Sequence, residues 1–301
     1  MFSMITIPDN ALDKSSVAVK KICWANTEDF NDSNIVLVGV PDESQSHALR
    51  KGTSAAPDRI REISVIRDMY IRNGEKSLGV PFSGLGHCKL YDYGNIERDE
   101  IDEVYEKIIS KSKIPLLIGG DHSISTQAIK SVSKRIGPIS LVYFDAHPDF
   151  VSSTTGYYGS VFHEVLQDID IKTSLQIGIR TPEQEELENL KKFNIKVFTP
   201  MEIAEKGVKE ISESIAEIVK GNKVYISFDM DCVDPSFAPG VSVPVPLGLR
   251  NVDAVYLMKS IVKNGIAGMD IMEVCPNYDI KDRTSHLASR MISEILSSCR
   301  L

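Results

Sequence analysis

The chain has 301 residues, of which 42% are hydrophobic and 25% are charged, and this composition is typical of a globular protein with a large core. Its net charge of -8, without a stripe of lysine and arginine, argues against nucleic acid as the main partner and mildly favours a cationic small molecule. The five cysteines form no CxxC pair. No apolar run is long enough to span a bilayer, and the first residues lack a signal-peptide pattern. We therefore expect a cytoplasmic protein without a membrane partner.

Short apolar runs rich in β-branched residues alternate along the chain with amphipathic patterns. The runs predict strands buried on both faces, over 35–40, 114–118, 139–144, 175–179, 195–198, 224–228 and 266–271. The amphipathic patterns predict helices over 57–73, 99–112, 123–135, 182–193, 201–220, 251–264 and 286–298. This alternation predicts an α/β fold with three layers, α/β/α, around a mainly parallel sheet. Because no linker-like tract interrupts it, we expect a single domain over 1–301 with an N-terminal extension of about 1–33.

Polar side chains follow four of the predicted strands at their carboxyl ends. They belong to the segments GGDHS (119–123), DAHPD (145–149) and DMD (229–231) and to the single residue Glu273. Ligands of parallel sheets bind beyond the carboxyl ends of the strands, so these segments should meet at one edge. Alternate residues of an extended segment point the same way, which directs the carboxylates and imidazoles into one crevice.

This crevice is predicted to collect two imidazoles and four carboxylates, enough to hold two divalent cations with bridging oxygens. The candidate ligands are His122, Asp145, His147, Asp149, Asp229 and Asp231. The excess of carboxylates over imidazoles suits Mn²⁺ better than structural Zn²⁺, although zinc, cobalt and nickel stay open. Cys232 and Cys275 lie beside these motifs, and we expect them to be small buried fillers rather than ligands or nucleophiles.

Four motifs carry a resemblance to a known family. They are Gly119–Ser123, Asp145–Asp149, Ser227–Pro235 and Met269–Pro276. In content and order they resemble the signatures of the ureohydrolases, the arginase and agmatinase family, and agmatinase most of all. The resemblance implies a three-layer fold, two Mn²⁺ ions per chain, a homotrimer or homohexamer, and hydrolysis of a guanidino group to urea and an amine. It also implies two ligand sets, one of His122, Asp145, Asp149 and Asp229, the other of Asp145, His147, Asp229 and Asp231.

Two carboxylates have predicted roles in the reaction itself. Asp149 is expected to orient the attacking water and to help pass its proton to the leaving amine. Glu273 is a carboxylate at the end of an apolar strand, and its two oxygens match the paired donors of a substrate guanidinium. The alternative for Glu273 is an internal salt bridge to Arg180 or Arg283. We expect a neighbouring carboxylate on the same strand, Asp270, to be structural.

The chain departs from the family pattern after the DAHPD segment. Family members usually have His-Gly-Thr or His-Gly-Ser there, and the histidine is thought to move protons to the leaving amine. Here Tyr158 takes the histidine position, so we expect Tyr158 and Ser160 to bind substrate and Tyr158 or, alternatively, His163 to act in proton transfer. The sequence Val243–Pro244–Val245 also replaces the usual Thr-Pro-Glu, which predicts a pocket of different polarity.

The expected substrate is a small cationic guanidino compound. Residues 152–156 lack the asparagine that arginases use to recognise the amino acid head group, which favours agmatine, hydrolysed to putrescine and urea in polyamine biosynthesis. Arginine, guanidinobutyrate and formiminoglutamate are the alternatives within the same chemistry. A protein that binds metal without catalysis, after loss of the histidine at position 158, is the alternative of a different class. Four carboxylates directed into one crevice repel one another without cations, and this favours a working site.

Overall fold

Ten strands and nine α-helices lie within residues 21–299, which the computed structural model describes. The strands are β1 (Ile35–Val40), β2 (Met69–Arg72), β3 (Glu75–Leu78), β4 (Leu90–Asn95), β5 (Ile114–Gly119), β6 (Ser140–Phe144), β7 (Leu175–Ile177), β8 (Lys196–Phe198), β9 (Val224–Asp229) and β10 (Gly268–Met272). The helices are α1 (Ala56–Asp68), α2 (Ile101–Ile109), α3 (Ile124–Ile136), α4 (Val161–Glu164), α5 (Gln184–Lys192), α6 (Pro200–Lys206), α7 (Val208–Ile218), α8 (Asn251–Val262) and α9 (Arg283–Leu296).

Eight of these strands form one sheet, in the order β4-β1-β5-β10-β9-β6-β7-β8. Its neighbouring strands are parallel in every pair. Helices α1, α6, α7, α8 and α9 contribute to the core on one face, and α2, α3, α4 and α5 pack on the other. All six residues of β1 are buried, as expected for a parallel strand covered on both faces. The predicted three-layer α/β/α fold with a mainly parallel sheet is confirmed.

The strands that precede the four motifs are neighbours in the middle of this sheet, in the order β5, β10, β9 and β6. Their ends are also level. Ile118 pairs with Ile271, Ile271 pairs with Phe228, and Phe228 pairs with Phe144. Each motif begins one or two residues beyond this row, so the four motifs emerge side by side at one edge of the sheet.

The predicted helix over 57–73 is wrong beyond Asp68. The chain turns instead into a two-stranded antiparallel hairpin, in which β2 pairs with β3. Asn73 and Gly74 form its turn with positive φ angles of 54° and 80°. An Asn-Gly pair after the β-favouring residues Tyr70 and Ile71 is a strong hairpin signal, and it overrides the helical spacing of the apolar residues.

Two other elements differ from the prediction. Strand β4 was missed because only its alternate residues are buried and because Asp92 and Gly94 are typical of turns. The predicted helix over 201–220 is two helices, which meet at Gly207 with a φ of 87°. Thr199 starts the first of them, since its side-chain oxygen accepts a hydrogen bond from the N–H of Glu202 at 3.2 Å.

The predicted extension over 1–33 lies partly outside the described residues, which begin at residue 21. In the described part, Ile22, Cys23 and Trp24 are buried in the core. The N–H of Ile22 also donates to the carboxylate of Asp92 at 2.8 Å. Residues 21–24 are therefore part of the packed structure. Within residues 21–299, no helix combines the length and the apolar character needed to cross a membrane.

Candidate metal centre

His122 lies in the loop between β5 and α3, and this loop packs closely against the loop after β1. A Cβ atom at Gly120 would lie 1.7 Å from the carbonyl oxygen of Asp42, so only glycine allows this approach. The N–H of Asp121 donates to the same carbonyl at 3.0 Å. Asp121 in turn accepts the N–H of Ser123 at 2.9 Å, in agreement with a turn-forming role. These contacts hold the buried His122 side chain among the strand ends.

The Nδ1 atom of His122 faces three carboxylate oxygens at once. It lies 2.9 Å from Oδ2 of Asp145, 3.2 Å from Oδ2 of Asp149 and 3.1 Å from Oδ2 of Asp229. One imidazole nitrogen carries at most one hydrogen, so it cannot satisfy three acceptors. The buried Oδ2 of Asp145 has no partner with hydrogen-bond geometry despite these short distances. A divalent cation fits this donor set, because all four groups can ligate it together.

His147 and Asp231 form a second group, which shares Asp145 with the first. Nδ1 of His147 lies 3.3 Å from Oδ1 of Asp145 and 3.1 Å from Oδ2 of Asp231. Asp231 is oriented by two hydrogen bonds: its own N–H donates to Oδ1 of Asp229 at 2.7 Å, and its Oδ1 accepts the N–H of Ala146 at 3.0 Å. The structure thus brings the predicted ligands together, in two groups that could each hold a cation.

A buried chain of hydrogen bonds orients the His122 ring. Its Nε2 lies 3.0 Å from the hydroxyl of Ser227, and that hydroxyl donates to Oδ1 of Asp270 at 2.9 Å. Ser227 has only one hydrogen, so Nε2 must be the donor in the first contact, and Nδ1 keeps its lone pair for a cation. Asp270 also accepts the hydroxyl of Tyr225 at 2.9 Å. The expectation that Asp270 is structural is therefore incomplete, since it acts on His122 through Ser227.

Glu273 is buried, and both of its carboxylate oxygens have a donor. The N–H of His122 donates to Oε1 at 2.8 Å, and the hydroxyl of Ser242 donates to Oε2. Among the residues that the structure describes, Glu273 makes no ion pair with an arginine. Arg180 donates to main-chain carbonyls instead, including that of Asp231 at 2.8 Å, and Arg283 is exposed. The internal salt bridge considered for Glu273 is wrong.

Asp149 and Glu273 share an uncommon backbone conformation. Their φ angles are 47° and 63°, in the left-handed region that non-glycine residues rarely adopt. Backbone hydrogen bonds hold both in place: the N–H of Phe162 donates to the carbonyl of Asp149 at 2.9 Å, and the N–H of Glu273 donates to that of Gly120 at 3.0 Å. Residues held in such conformations cluster at functional sites.

Tyr158 lies within the electrostatic reach of both carboxylates. It is half-buried, and its N–H donates to the carbonyl of Gln45 at 3.4 Å. Burial raises the pKa of its phenol most, and the Tyr157 phenol and the charges of Glu273 and Asp149 raise it further. Tyr158 therefore stays protonated at neutral pH, where it is a hydrogen-bond donor.

The described contacts of the Ser160 and His163 side chains do not include a candidate ligand. Ser160 is fully buried, and its hydroxyl lies 2.7 Å from the carbonyl of Tyr157 and 2.6 Å from Oε1 of Glu164. His163 lies on α4 with its ring centroid 6.2 Å from that of Phe150. The roles of Ser160 in substrate binding and of His163 in proton transfer stay predictions.

Residues 33–297 match the sequence profile described as "Arginase family". The chain belongs to the arginase family. The agmatinase of Neisseria meningitidis serogroup C is 32% identical to it over 273 residues, which are 87% of this chain and 85% of that protein. The mitochondrial guanidino acid hydrolase of Homo sapiens is 31% identical over 275 residues, 86% of this chain and 76% of that one.

Solved structures agree with the family assignment. The agmatine ureohydrolase of Thermoplasma volcanium has a TM-score of 0.79 to this chain at 29% identity, and the match covers 93% of this chain and 94% of that one. The predicted ureohydrolase family and the predicted enzyme class, a hydrolase of the arginase and agmatinase kind, are confirmed.

The ligand groups of this arginase-family chain hold protons strongly when no cation is bound. Burial opposes a charge on His147, but Asp231 and Asp145 outweigh it and raise its pKa to about 12. The pKa of His122 is also raised well above its ordinary value, because three carboxylates outweigh its burial. Burial and the charge of Asp145 raise the pKa of Asp149 to about 7. Protons thus take the place that cations would otherwise fill.

Binding of Mn²⁺ is therefore expected to become tighter as the pH rises from about 6 to about 8 and to release protons. Cations and protons compete for the Nδ1 atoms of His122 and His147, and a higher pH removes the competitor. Titration calorimetry in buffers of different ionisation enthalpy measures the number of protons released. An affinity that does not change with pH would show that neither imidazole exchanges a proton for a cation.

The metal-free chain should show the opposite pH dependence in its stability. A raised pKa of His147 in the folded state stabilises the fold below its ordinary pKa of 6.5, and this contribution is lost as the pH rises toward about 12. Thermal unfolding in the presence of a chelator should therefore show a melting temperature that falls above neutral pH, whereas the Mn²⁺-loaded chain keeps its stability.

Ser227 and Tyr143 lie beside the ligands, and neither was predicted. Tyr143, on β6, is fully buried, and its hydroxyl donates to Oδ2 of Asp149 at 2.5 Å. It lies two residues before Asp145 on an extended strand, so both side chains point to the same face. That spacing is the signal by which the sequence could have revealed it.

Proposed function

We propose that the chain hydrolyses the guanidino group of a small cationic substrate to urea and an amine, with two Mn²⁺ ions as cofactors and agmatine as the preferred substrate. The contact of one His122 nitrogen with three carboxylates is the observation that carries this proposal. A second group that shares Asp145 supports a centre for two cations. Oxygen and imidazole donors without a thiolate support manganese.

The side chains around this centre have complementary tasks. Cations held by the two groups would supply the charge that makes water a nucleophile near neutral pH. Asp149 accepts a hydrogen bond from that water and passes its proton toward the leaving amine. Glu273 binds the guanidinium through both oxygens, and this contact positions the guanidinium carbon for attack. Tyr158 donates a hydrogen bond to the substrate or the leaving amine.

The charge state of Glu273 supports a cationic ligand. Burial raises the pKa of its carboxyl to about 8, although the hydroxyl of Ser242 works against this rise. At neutral pH a carboxyl with this pKa is mostly uncharged, and a nearby cation favours its ionised form. A substrate guanidinium is such a cation and would ionise Glu273 as it binds, whereas an uncharged ligand would leave the carboxyl protonated.

Contacts in the loop over 152–156 support a substrate without an amino acid head group. The hydroxyl of Ser152 donates to Oε1 of Glu185 at 2.6 Å, and the hydroxyl of Ser153 donates to Oε2 at 2.8 Å. Both serine N–H groups donate to Oε1 as well. These donors are engaged within the protein, so they are not free to bind the carboxylate of arginine. Agmatine lacks that carboxylate.

A guanidino or formimino acid is a second candidate, and Arg50 is the observation that favours it. Arg50 is half-buried, and its Nη1 lies 3.5 Å from the carbonyl of Val241, the residue before Ser242. Ser242 contacts Glu273, so Arg50 offers a cation on the side of the site where a substrate carboxylate could lie. Guanidinobutyrate and formiminoglutamate carry such a carboxylate, and so does arginine.

Product release from a substrate panel tests these alternatives. The chain loaded with Mn²⁺ is assayed for urea from agmatine, arginine and guanidinobutyrate and for formamide from formiminoglutamate. We expect kcat/KM to be highest for agmatine, and Arg50→Ala to leave it unchanged. A preference for an acid that Arg50→Ala abolishes would favour the second candidate. No turnover with two bound Mn²⁺ ions would favour a metal-binding protein without catalysis.

Two single substitutions separate the candidates for proton transfer. Tyr158→Phe removes only a hydroxyl within the electrostatic reach of Glu273 and Asp149, and we expect kcat/KM to fall about tenfold, the equivalent of one hydrogen bond. His163→Ala is expected to leave kcat/KM within about twofold, because the ring packs against Phe150. Steady-state urea release measures both, and the reverse pattern would assign proton transfer to His163.

We also propose a homotrimer or homohexamer. Large apolar side chains of the β2–β3 hairpin support self-association, since Tyr70 is 58% exposed and Ile71 is 70% exposed. Sedimentation velocity of the full chain measures the assembly, and a monomer at micromolar concentration would contradict this part of the proposal.

A further inference from the structure

Tyr143 lies at the centre of a buried ring stack beside the candidate metal ligands. Its ring is parallel to that of His122, with an interplanar angle of 6° and a centroid distance of 4.7 Å. The ring of Phe162 also packs against it in an edge-on arrangement, with a centroid distance of 5.6 Å and an interplanar angle of 84°. Tyr143 has no exposed surface. The position of its hydroxyl is therefore fixed by complete burial and by the packing of two rings.

The Tyr143 hydroxyl lies between two candidate ligands. It is 2.5 Å from Oδ2 of Asp149 and 3.1 Å from Nδ1 of His122. A hydroxyl has one hydrogen, and an Nδ1 atom that binds a cation has no free lone pair to accept it. The hydrogen therefore points to Asp149. The described contacts of the Asp149 side chain, with Tyr143 and with His122, both involve Oδ2.

We propose that Tyr143 is a positioning residue that acts through Asp149. Its hydroxyl fixes the rotation of the Asp149 carboxylate, so that Oδ2 faces the first ligand group and Oδ1 is left for the water. This inference rests on the proposed function, in which Asp149 is both a ligand and the acceptor of a proton. Metal binding and proton acceptance need different oxygens of the Asp149 carboxylate. The hydrogen bond from Tyr143 to Oδ2 makes the two oxygens different.

The test is Tyr143→Phe, which keeps the ring stack and removes one oxygen atom. Calorimetric titration with Mn²⁺ alone should show one of the two sites weakened by about tenfold or more, as for other partners of metal ligands. With substrate, kcat should fall by about tenfold while KM stays within about twofold. Tyr93→Phe, which removes the hydroxyl of a half-buried tyrosine on the edge strand β4 whose ring packs against Tyr91, is the matched control and should behave as the wild type.

A double variant separates this role from a general packing effect. In the background of Asp149→Ala, which has no side-chain acceptor for the hydroxyl, the further change Tyr143→Phe should leave the remaining Mn²⁺ affinity unchanged. An equal further loss in that background would overturn the inference, and so would a Tyr143→Phe chain with unchanged Mn²⁺ affinity and kcat. A wild-type chain that binds Mn²⁺ but hydrolyses no substrate contradicts the proposed function, while the calorimetric comparison still decides the role of Tyr143.

Discussion

Replacing Asp145 with asparagine is expected to abolish binding of Mn²⁺ at both groups and to lower kcat/KM by about three orders of magnitude or more, a loss of at least ~4 kcal/mol. Asp145 is the residue that the two groups share, with Oδ2 facing His122 and Oδ1 facing His147. Asparagine has nearly the same shape but no charge, and its amide cannot ligate two cations through both ends. Metal content after dialysis and urea release measure the two effects.

The matched control is Asp168→Asn, which removes a carboxylate from the segment between α4 and β7. Lys130 is the charged group that acts on the pKa of Asp168, and no candidate ligand is among the groups that shift it. We expect this control to bind Mn²⁺ and to turn over substrate as the wild type does. Retention of two Mn²⁺ ions by Asp145→Asn would show that Asp145 does not bridge the groups, whatever the activity of the variant.

Replacing Glu273 with glutamine is expected to leave metal binding intact and to lower kcat/KM by about two to three orders of magnitude, the loss that follows when a buried charge pair is broken. Glutamine can still accept the N–H of His122, so the backbone beside the first ligand group should stay in place. The substrate guanidinium, however, loses its ionic partner. Steady-state kinetics with agmatine and the Mn²⁺ content of the same preparation measure the two properties together.

Ser242→Ala is the companion substitution for Glu273. It removes the hydroxyl that donates to Oε2 and leaves the carboxylate and its charge. We expect a fall in kcat/KM of about tenfold, between wild type and Glu273→Gln. If Glu273→Gln lost its Mn²⁺ as well as its activity, the carboxylate would belong to the metal site and not to the guanidinium.

The convergence of the candidate ligands was predictable from sequence because a parallel sheet determines where its strands end. Asp145 and Asp229 directly follow or end buried apolar runs, and alternate residues of an extended segment share a face. Spacing alone therefore indicated that His147 and Asp231 would join them. The order of the strands was not needed, since every motif lies at the same edge whichever strands are neighbours.

The side chains that support the ligands were harder to predict for a physical reason. Ser227 is a single polar residue within an apolar strand, and it meets His122, in the loop after β5, and Asp270, on β10. These partners depend on the strand order and register, which the local pattern does not contain.

Tyr143 meets Asp149 through the path of the loop after its own strand, which no periodicity indicates. Ser242 lies in an irregular loop, where no periodicity indicates direction. The β2–β3 hairpin was missed for the opposite reason, because a local turn signal at Asn73 outweighed helical spacing.

The left-handed backbone at Asp149 and Glu273 has a consequence for laboratory evolution. Each of these residues occupies a conformation that costs a non-glycine residue on the order of 1 kcal/mol or more. Glycine at either position would relieve that cost, but it would also leave buried donors without an acceptor, at about 1–3 kcal/mol each. A screen for heat resistance should therefore remove glycine from these two positions, so selection for stability alone keeps the carboxylates on which the chemistry depends.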